Sequence, residues 1–181
     1  NYRQELRDKL GIKTKYVVGH VGRFALPKNH SFILDVFKEL VKINDDCTLV
    51  LIGNGELGNS IKQKVKDLSL EEKVVFLDFQ ENIYRYYSMF DLFLMPSLFE
   101  AFPITLIEAQ ANGLVSLVSD TVTQKCNITG LIEFMSLSET AKVWAETSNK
   151  KLTTPRVDTT KIICEKGFDL KTQSRMLEEI L

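Results

Sequence analysis

Two carboxylates flank a proline in FEAFPITLIEAQANG, residues 99–113: Glu100 lies before Pro103 and Glu108 follows it within an apolar run. Proline suits the first helical turn, where its missing N–H would be unpaired anyway, so a helix is expected to start near Phe102 or Pro103. An acid ahead of a helix start complements the helix dipole, and one further along can be an ordinary surface charge. Glu108, however, sits between Ile107 and Ala109 in a largely apolar segment. A carboxylate can accept two hydroxyl hydrogen bonds at once, which is how a ribose or sugar diol is held. The spacing lets both acids project toward one cleft at different depths.

A second set lies in GHVGRFALPKNH, residues 19–30. Gly19 and Gly22 allow a tight turn or close backbone approach, and Arg23 and Lys28 stand just ahead of a helix expected near Ser31. Two cations beside a helix N-terminus make a phosphate cradle; the plain alternative is turn glycines and solvated charges. A third set is GNGELG, where Gly53, Gly55 and Gly58 spell GxGxxG, with Asp78 further on. Alone it suggests an NAD-binding domain, but a strand–helix unit precedes it, whereas that fingerprint normally opens its fold.

The elements that must position these residues are legible from periodicity. KYVVGHV (15–21), TLVLIG (48–53), KVVFLDF (73–79), DLFLMPS (91–97) and LVSLVSD (114–120) read as buried strands. Between them SFILDVFKELVKI, ELGNSIKQKVKDL, NIYRYYSMF and PITLIEAQAN repeat apolar residues near 3.6 and read as helices. Strand–helix alternation predicts an α/β domain with a doubly wound parallel sheet covered on both faces. Ligands of such sheets bind outside the carboxyl ends of the strands, where all three residue sets fall. Further on, GLIEFM is expected as a strand, SETAKVWAETSNK as a helix, KLTTPR as a loop and FDLKTQSRMLEEIL as a last helix. Residues 1–14 read as a polar helix and linker, and 15–181 as one domain with C-terminal helices.

Composition narrows the ligand class. With 181 residues, 44% of them hydrophobic, the chain can bury one sizeable core. Its 23 basic and 24 acidic residues nearly cancel, so no global field favours nucleic acid or an anionic membrane, and an anion needs a local site. Cys47, Cys126 and Cys164 have neither metal-ligand nor disulfide spacing, which suits a reducing cytoplasm. His20, inside a strand run, and Trp144 read as packed residues, as does the cluster Tyr84, Tyr86, Tyr87, Met89 and Phe90.

Together, Gly22-Arg23, Lys28, Gly53-x-Gly55-Glu56, Pro96-Ser97 and Glu100-x7-Glu108 followed by Ala109-Gln110-Ala111-x-Gly113 resemble the retaining group 1 glycosyltransferases, family GT4. The resemblance runs from about residue 15 onward and covers the nucleotide-sugar-binding half of a GT-B fold. PSLFEAFPITLIEAQANG looks like bacterial enzymes of capsular or exopolysaccharide biosynthesis.

The resemblance implies that Arg23 and Lys28 neutralise the donor diphosphate and that backbone N–H groups near Phe102 and Ile104 cap it. Glu108 would hold the ribose and Glu100 the transferred sugar, with Gly22 and Gly55 in the binding loops. LDFQENIY, including Phe79, would give backbone contacts to the base. It implies no metal and no cofactor beyond the donor, with UDP rather than GDP the subclass preference, and a glycan or lipid-linked acceptor bound by another half. Peripheral association of a full-length chain with the inner face of the plasma membrane would then depend on that half. Pro27, Asp78 and Gln80 depart from the family pattern, which bears on the base and phosphate contacts, and Lys125 stands where relatives carry an acid, which bears on the donor-side loop. A non-catalytic nucleotide-sugar-binding module is the remaining alternative.

Overall fold

The computed structural model describes residues 2–168. Six parallel strands form one sheet: β1 (Tyr16–Val21), β2 (Cys47–Ile52), β3 (Val74–Leu77), β4 (Leu92–Met95), β5 (Ser116–Ser119) and β6 (Ile132–Met135), in the order β3-β2-β1-β4-β5-β6. The expected α/β doubly wound architecture is thus the observed one. The helices are α1 (Tyr2–Lys9), α2 (His30–Ile43), α3 (Gly58–Asp67), α4 (Ile83–Met89), α5 (Ile104–Ala111), α6 (Ala141–Lys151) and α7 (Thr160–Glu165).

Alternating strand residues feed two separate cores. Val18, Leu49, Leu51, Leu92 and Leu117 meet Ile33, Phe37, Val65 and Trp144 from α2, α3 and α6. Val17, Val50, Ile52, Phe93 and Val118 meet Leu6, Tyr87, Leu106 and Ala109 from α1, α4 and α5. Strands buried on both faces are apolar at most positions, which explains the near-continuous hydrophobic runs. After β3 the chain returns across the sheet through α4 to β4, so the winding direction reverses between β1 and β4. That pair is the topological switch point.

Gly19 makes this pairing possible, since a Cβ there would lie 2.2 Å from the Phe90 ring. Segment 1–14, read as a linker, contains α1, which lies against α4. Arg3 and Arg7 both pair with Asp91, at 2.6 and 2.8 Å, and Asp91 Oδ2 also accepts the Val17 N–H. Trp144 is fully buried, as expected, and donates its indole N–H to the Ser136 carbonyl at 3.0 Å.

Two details differ from the sequence expectation. Pro103 is the N-cap residue of α5, with extended φ and ψ, so the helix starts at Ile104. Helix α7 was not anticipated; only six residues long, it offers no apolar periodicity to read. The helix expected in FDLKTQSRMLEEIL lies, apart from Phe168, outside the described residues.

Candidate functional site

The loops after β1 and β4 meet at the switch point and are tied by backbone and side chain. Leu98 N–H donates to the Pro27 carbonyl at 2.8 Å, Asn29 Nδ2 donates to the Pro96 carbonyl at 3.0 Å, and Lys28 forms an ion pair with Glu100. Glu100 is held in place by a parallel bridge to Val122. Lys28 and Glu100, assigned from sequence to the diphosphate and the sugar, therefore neutralise each other in this state.

Beside this junction opens a cavity of about 550 Å³. Val21 and Gly22 after β1, Ile52 and Asn54 after β2, Phe79 to Glu81 after β3, and Ile104, Thr105 and Glu108 of α5 line it, with Arg23 at its edge. Of the candidate residues, Gly22, Arg23, Phe79, Ile104 and Glu108 thus converge. Lys28, Glu100, Phe102 and Gly55 stand outside the lining. Phe102 stacks on Phe168, with ring centroids 6.2 Å apart. Gly55 borders a smaller neighbouring cavity with Asp78, and a Cβ on it would lie 2.6 Å from the Phe24 carbonyl oxygen. Loop packing alone therefore requires a glycine at this position.

The same packing accounts for Gly53, whose φ is +141° and whose added Cβ would lie 2.2 Å from the Gly22 carbonyl oxygen. The GxGxxG pattern follows β2, one strand removed from the switch point, and its first two glycines let two loops interlock. A pyrophosphate is not needed to explain them.

Polar groups divide into committed and available ones. Arg23 reaches Glu56 at 3.2 Å, but both side chains are more than half exposed, so this pair gives way readily. Tyr87 Oη donates to Glu108 Oε2 at 2.9 Å. Burial, then the Glu108 charge, pushes the Tyr87 phenol well up, so it remains a donor. Among the described residues Glu108 Oε1 has no hydrogen-bond partner, and neither does Thr105 Oγ1. Sequence reading placed Tyr87 in the core without its contact and passed over Thr105. The available signal was a tyrosine on the buried stripe of α4, since a buried phenol needs a partner.

Below the loop after β1 lie His20 and His30, 0% and 2% exposed, with ring centroids 4.8 Å apart. His20 Nδ1 lies 2.8 Å from the Leu94 carbonyl, so His20 is packed and hydrogen-bonded, as read. Burial, then Lys28, lowers the His30 pKa to about 4, and burial lowers His20 well below its ordinary value. Both are neutral at pH 7.

A cavity of about 510 Å³ occupies the opposite end of β4 and β5. Its Arg156 already donates to the Asn112, Tyr87 and Phe90 carbonyls, each at 2.6 Å, closing the ends of α4 and α5. Among the described residues no group of three His, Cys, Asp or Glu side chains could hold a metal, and no helix is long and apolar enough to cross a membrane.

The geometry can therefore hold a diol at Glu108, a flat group beside the exposed Phe79, and an anion at Arg23 and the α5 N-terminus. The family described as glycosyl transferases, group 1, matches residues 2–150. A putative glycosyltransferase, EpsF, of Bacillus subtilis is 41% identical over 134 residues, 74% of this chain and 35% of that protein. The UDP-Gal:alpha-D-GlcNAc-diphosphoundecaprenol alpha-1,3-galactosyltransferase of Escherichia coli is 32% identical over 67% of this chain and 33% of its own length. The chain thus spans about a third of these relatives. The crystal structure of Anabaena Alr3699/HepE in complex with UDP and glucose superposes with a TM-score of 0.81, covering 99% of this chain and 51% of that one at 20% identity.

Proposed function

The chain belongs to the group 1 glycosyl transferases, and from that premise we propose that it is the donor-binding half of a retaining GT-B enzyme of polysaccharide biosynthesis. The observation that carries the site assignment is the convergence of Glu108 with Gly22, Arg23 and Phe79 on one cavity at the switch point. In this reading the base lies along residues 79–81, the ribose hydroxyls bind Glu108, and the diphosphate runs past Arg23 toward the N-terminus of α5.

Lys28 and Glu100 act at the far end. Lys28 turns from Glu100 to the diphosphate, and Glu100 is released to hydrogen-bond the transferred sugar. The acceptor oxygen bonds to the anomeric carbon on the face that the nucleotide diphosphate leaves, as the bond from that carbon to the diphosphate oxygen breaks and the hydroxyl proton passes to the departing phosphate. Arg23, Lys28 and the free N–H groups at Phe102 and Ile104 meet the charge developing on the leaving group, so no metal is required. UDP is the donor nucleotide we favour, because the E. coli relative named above uses UDP-Gal. That relative's diphosphoundecaprenol substrate also supports a lipid-linked or glycan acceptor, held at the cytoplasmic membrane face by parts of the enzyme beyond this domain.

Calorimetric titration with UDP, GDP and NADH, first without and then with magnesium, tests this. Saturable UDP binding unchanged by magnesium is expected. Binding of NADH alone would move the site to GNGELG, and GDP in place of UDP would correct the base. UDP binding without transfer by the longer protein would favour a non-catalytic module.

A further inference from the structure

The Tyr87 side chain is fully buried, yet it ends in a hydroxyl whose acceptor is a carboxylate at the edge of a ligand cavity. Its ring is fixed by edge contacts to Phe90 and Phe93, with centroids 6.1 and 5.7 Å away. Its backbone carbonyl is fixed by Arg156 Nη2 at 2.6 Å. The hydroxyl therefore has one direction in which to donate, and Glu108 Oε2 lies there at 2.9 Å. A carboxylate torsion is broad and roughly two-fold, so a Glu108 without this contact would sample many orientations. With it, one lone pair of Oε2 is used, and Oε1 together with the other lone pair of Oε2 is left to the cavity.

From this geometry we propose that Tyr87 is the positioning residue for Glu108, and through it the determinant by which the cavity selects a ribonucleoside over a 2′-deoxyribonucleoside diphosphate. The inference rests on the reading of the cavity as a nucleotide site. Two hydroxyls on adjacent carbons can both donate to one carboxylate, and a carboxylate already held at the right angle loses less entropy in accepting them. Removing the 2′-hydroxyl then leaves an oriented, partly desolvated acceptor without its donor, a loss larger than that of a mobile surface acid. Tyr87 touches no ligand itself; its effect is preorganisation.

The test is titration of the protein and its Tyr87→Phe, Glu108→Ala and doubly substituted variants with UDP and with 2′-deoxy-UDP. The native protein should prefer UDP by about tenfold, the size of one charge-assisted hydrogen bond. Tyr87→Phe keeps the ring and its packing; it should weaken UDP severalfold, leave 2′-deoxy-UDP unchanged, and bring the ratio toward one. In the Glu108→Ala background the same substitution should have no further effect. A Tyr87→Phe protein that keeps the native ratio overturns the proposal while leaving the nucleotide site standing. A native protein that binds neither nucleotide overturns the site reading and the proposal with it. Should Tyr87→Phe fail to fold in a thermal melt, Tyr87→Met also lacks the hydroxyl and fills irregular space, and the same ratio decides.

Discussion

Lys28 and Glu100 form an ion pair that bridges the loops after β1 and β4, with side chains only 19% and 14% exposed. In the proposed function Lys28 serves the diphosphate and Glu100 the sugar beside it, so their pairing is a resting arrangement that a diphosphate must open. A ligand phosphate competes with Glu100 for one ammonium.

This competition predicts opposite effects from the two partners. Glu100→Gln should raise affinity for UDP severalfold, because the rival acceptor loses its charge, while slowing sugar transfer by about a hundredfold. Lys28→Met should weaken UDP by about tenfold and leave uridine unchanged, since a charge-assisted hydrogen bond is worth about 1.5–3 kcal/mol. Titrations with UDP and uridine measure both. Equal losses for the two ligands on Lys28→Met would contradict a role on the diphosphate.

The glycines of GNGELG make a second prediction. Gly53→Ala forces a Cβ against the Gly22 carbonyl at a φ of +141°, with rigid backbone on both sides. It should destabilise by about 2–3 kcal/mol, within the usual range for backbone strain. That corresponds to a Tm lower by roughly 4–12 °C. Gly58→Ala meets only the Phe24 ring at 3.6 Å, an ordinary contact, and should be nearly neutral. A dinucleotide fingerprint would instead need all three glycines for ligand binding, so NADH titration of Gly58→Ala separates the cases.

Asp91 carries the third. It is the shared acceptor of Arg3, Arg7 and the Val17 N–H. Arg7 is 7% exposed, and burial already holds its pKa below the ordinary value. Asp91→Ala should cost about 3–5 kcal/mol, the range for stranding one member of a buried ion pair. Hydrogen exchange should show α1 losing protection first; protection of α1 equal to that of β1 would argue that apolar packing at Leu6 alone holds it.

Strands and long helices were legible because their signals are local: apolar runs for strands such as Cys47–Ile52, and 3.6-residue spacing for His30–Ile43. Glu108 drew attention because an acid inside an apolar helix is anomalous over a few residues, and it does line the cavity, whereas Glu100 does not. What escaped were relations across the fold. Tyr87 and Glu108 are 21 residues apart, Lys28 and Glu100 are 72, and no periodicity records which side chains the winding brings together. Gly55 shows the same limit. A glycine needed for a neighbouring loop looks, in sequence, like a glycine needed for a ligand.

His20 and His30 give the last prediction, on pH. His30 is 2% exposed and packed edge-on against Phe24 and His20, and neither of its ring nitrogens has a hydrogen-bond partner. Its pKa in the folded protein is about 4, lowered by burial and then by Lys28, against an ordinary value of 6.5. Above pH 6.5 both folded and unfolded chains keep it neutral, and stability is undiminished. Between pH 6.5 and 4 the unfolded chain binds a proton that the folded one refuses, so stability falls as pH falls, and it stops falling once the folded form also protonates. The loss amounts to about 3 kcal/mol for this group. His20 adds a loss of the same sign, since it too is shifted down. Thermal melts from pH 7.5 to 4.5 should therefore show a Tm that is level down to about pH 6.5 and decreases below it. His30→Leu, similar in volume and unable to protonate, should melt at or above the native Tm at pH 7.5 and lie further above it at pH 5. Native and variant curves that run parallel across this range would show that His30 protonates without disturbing its packing.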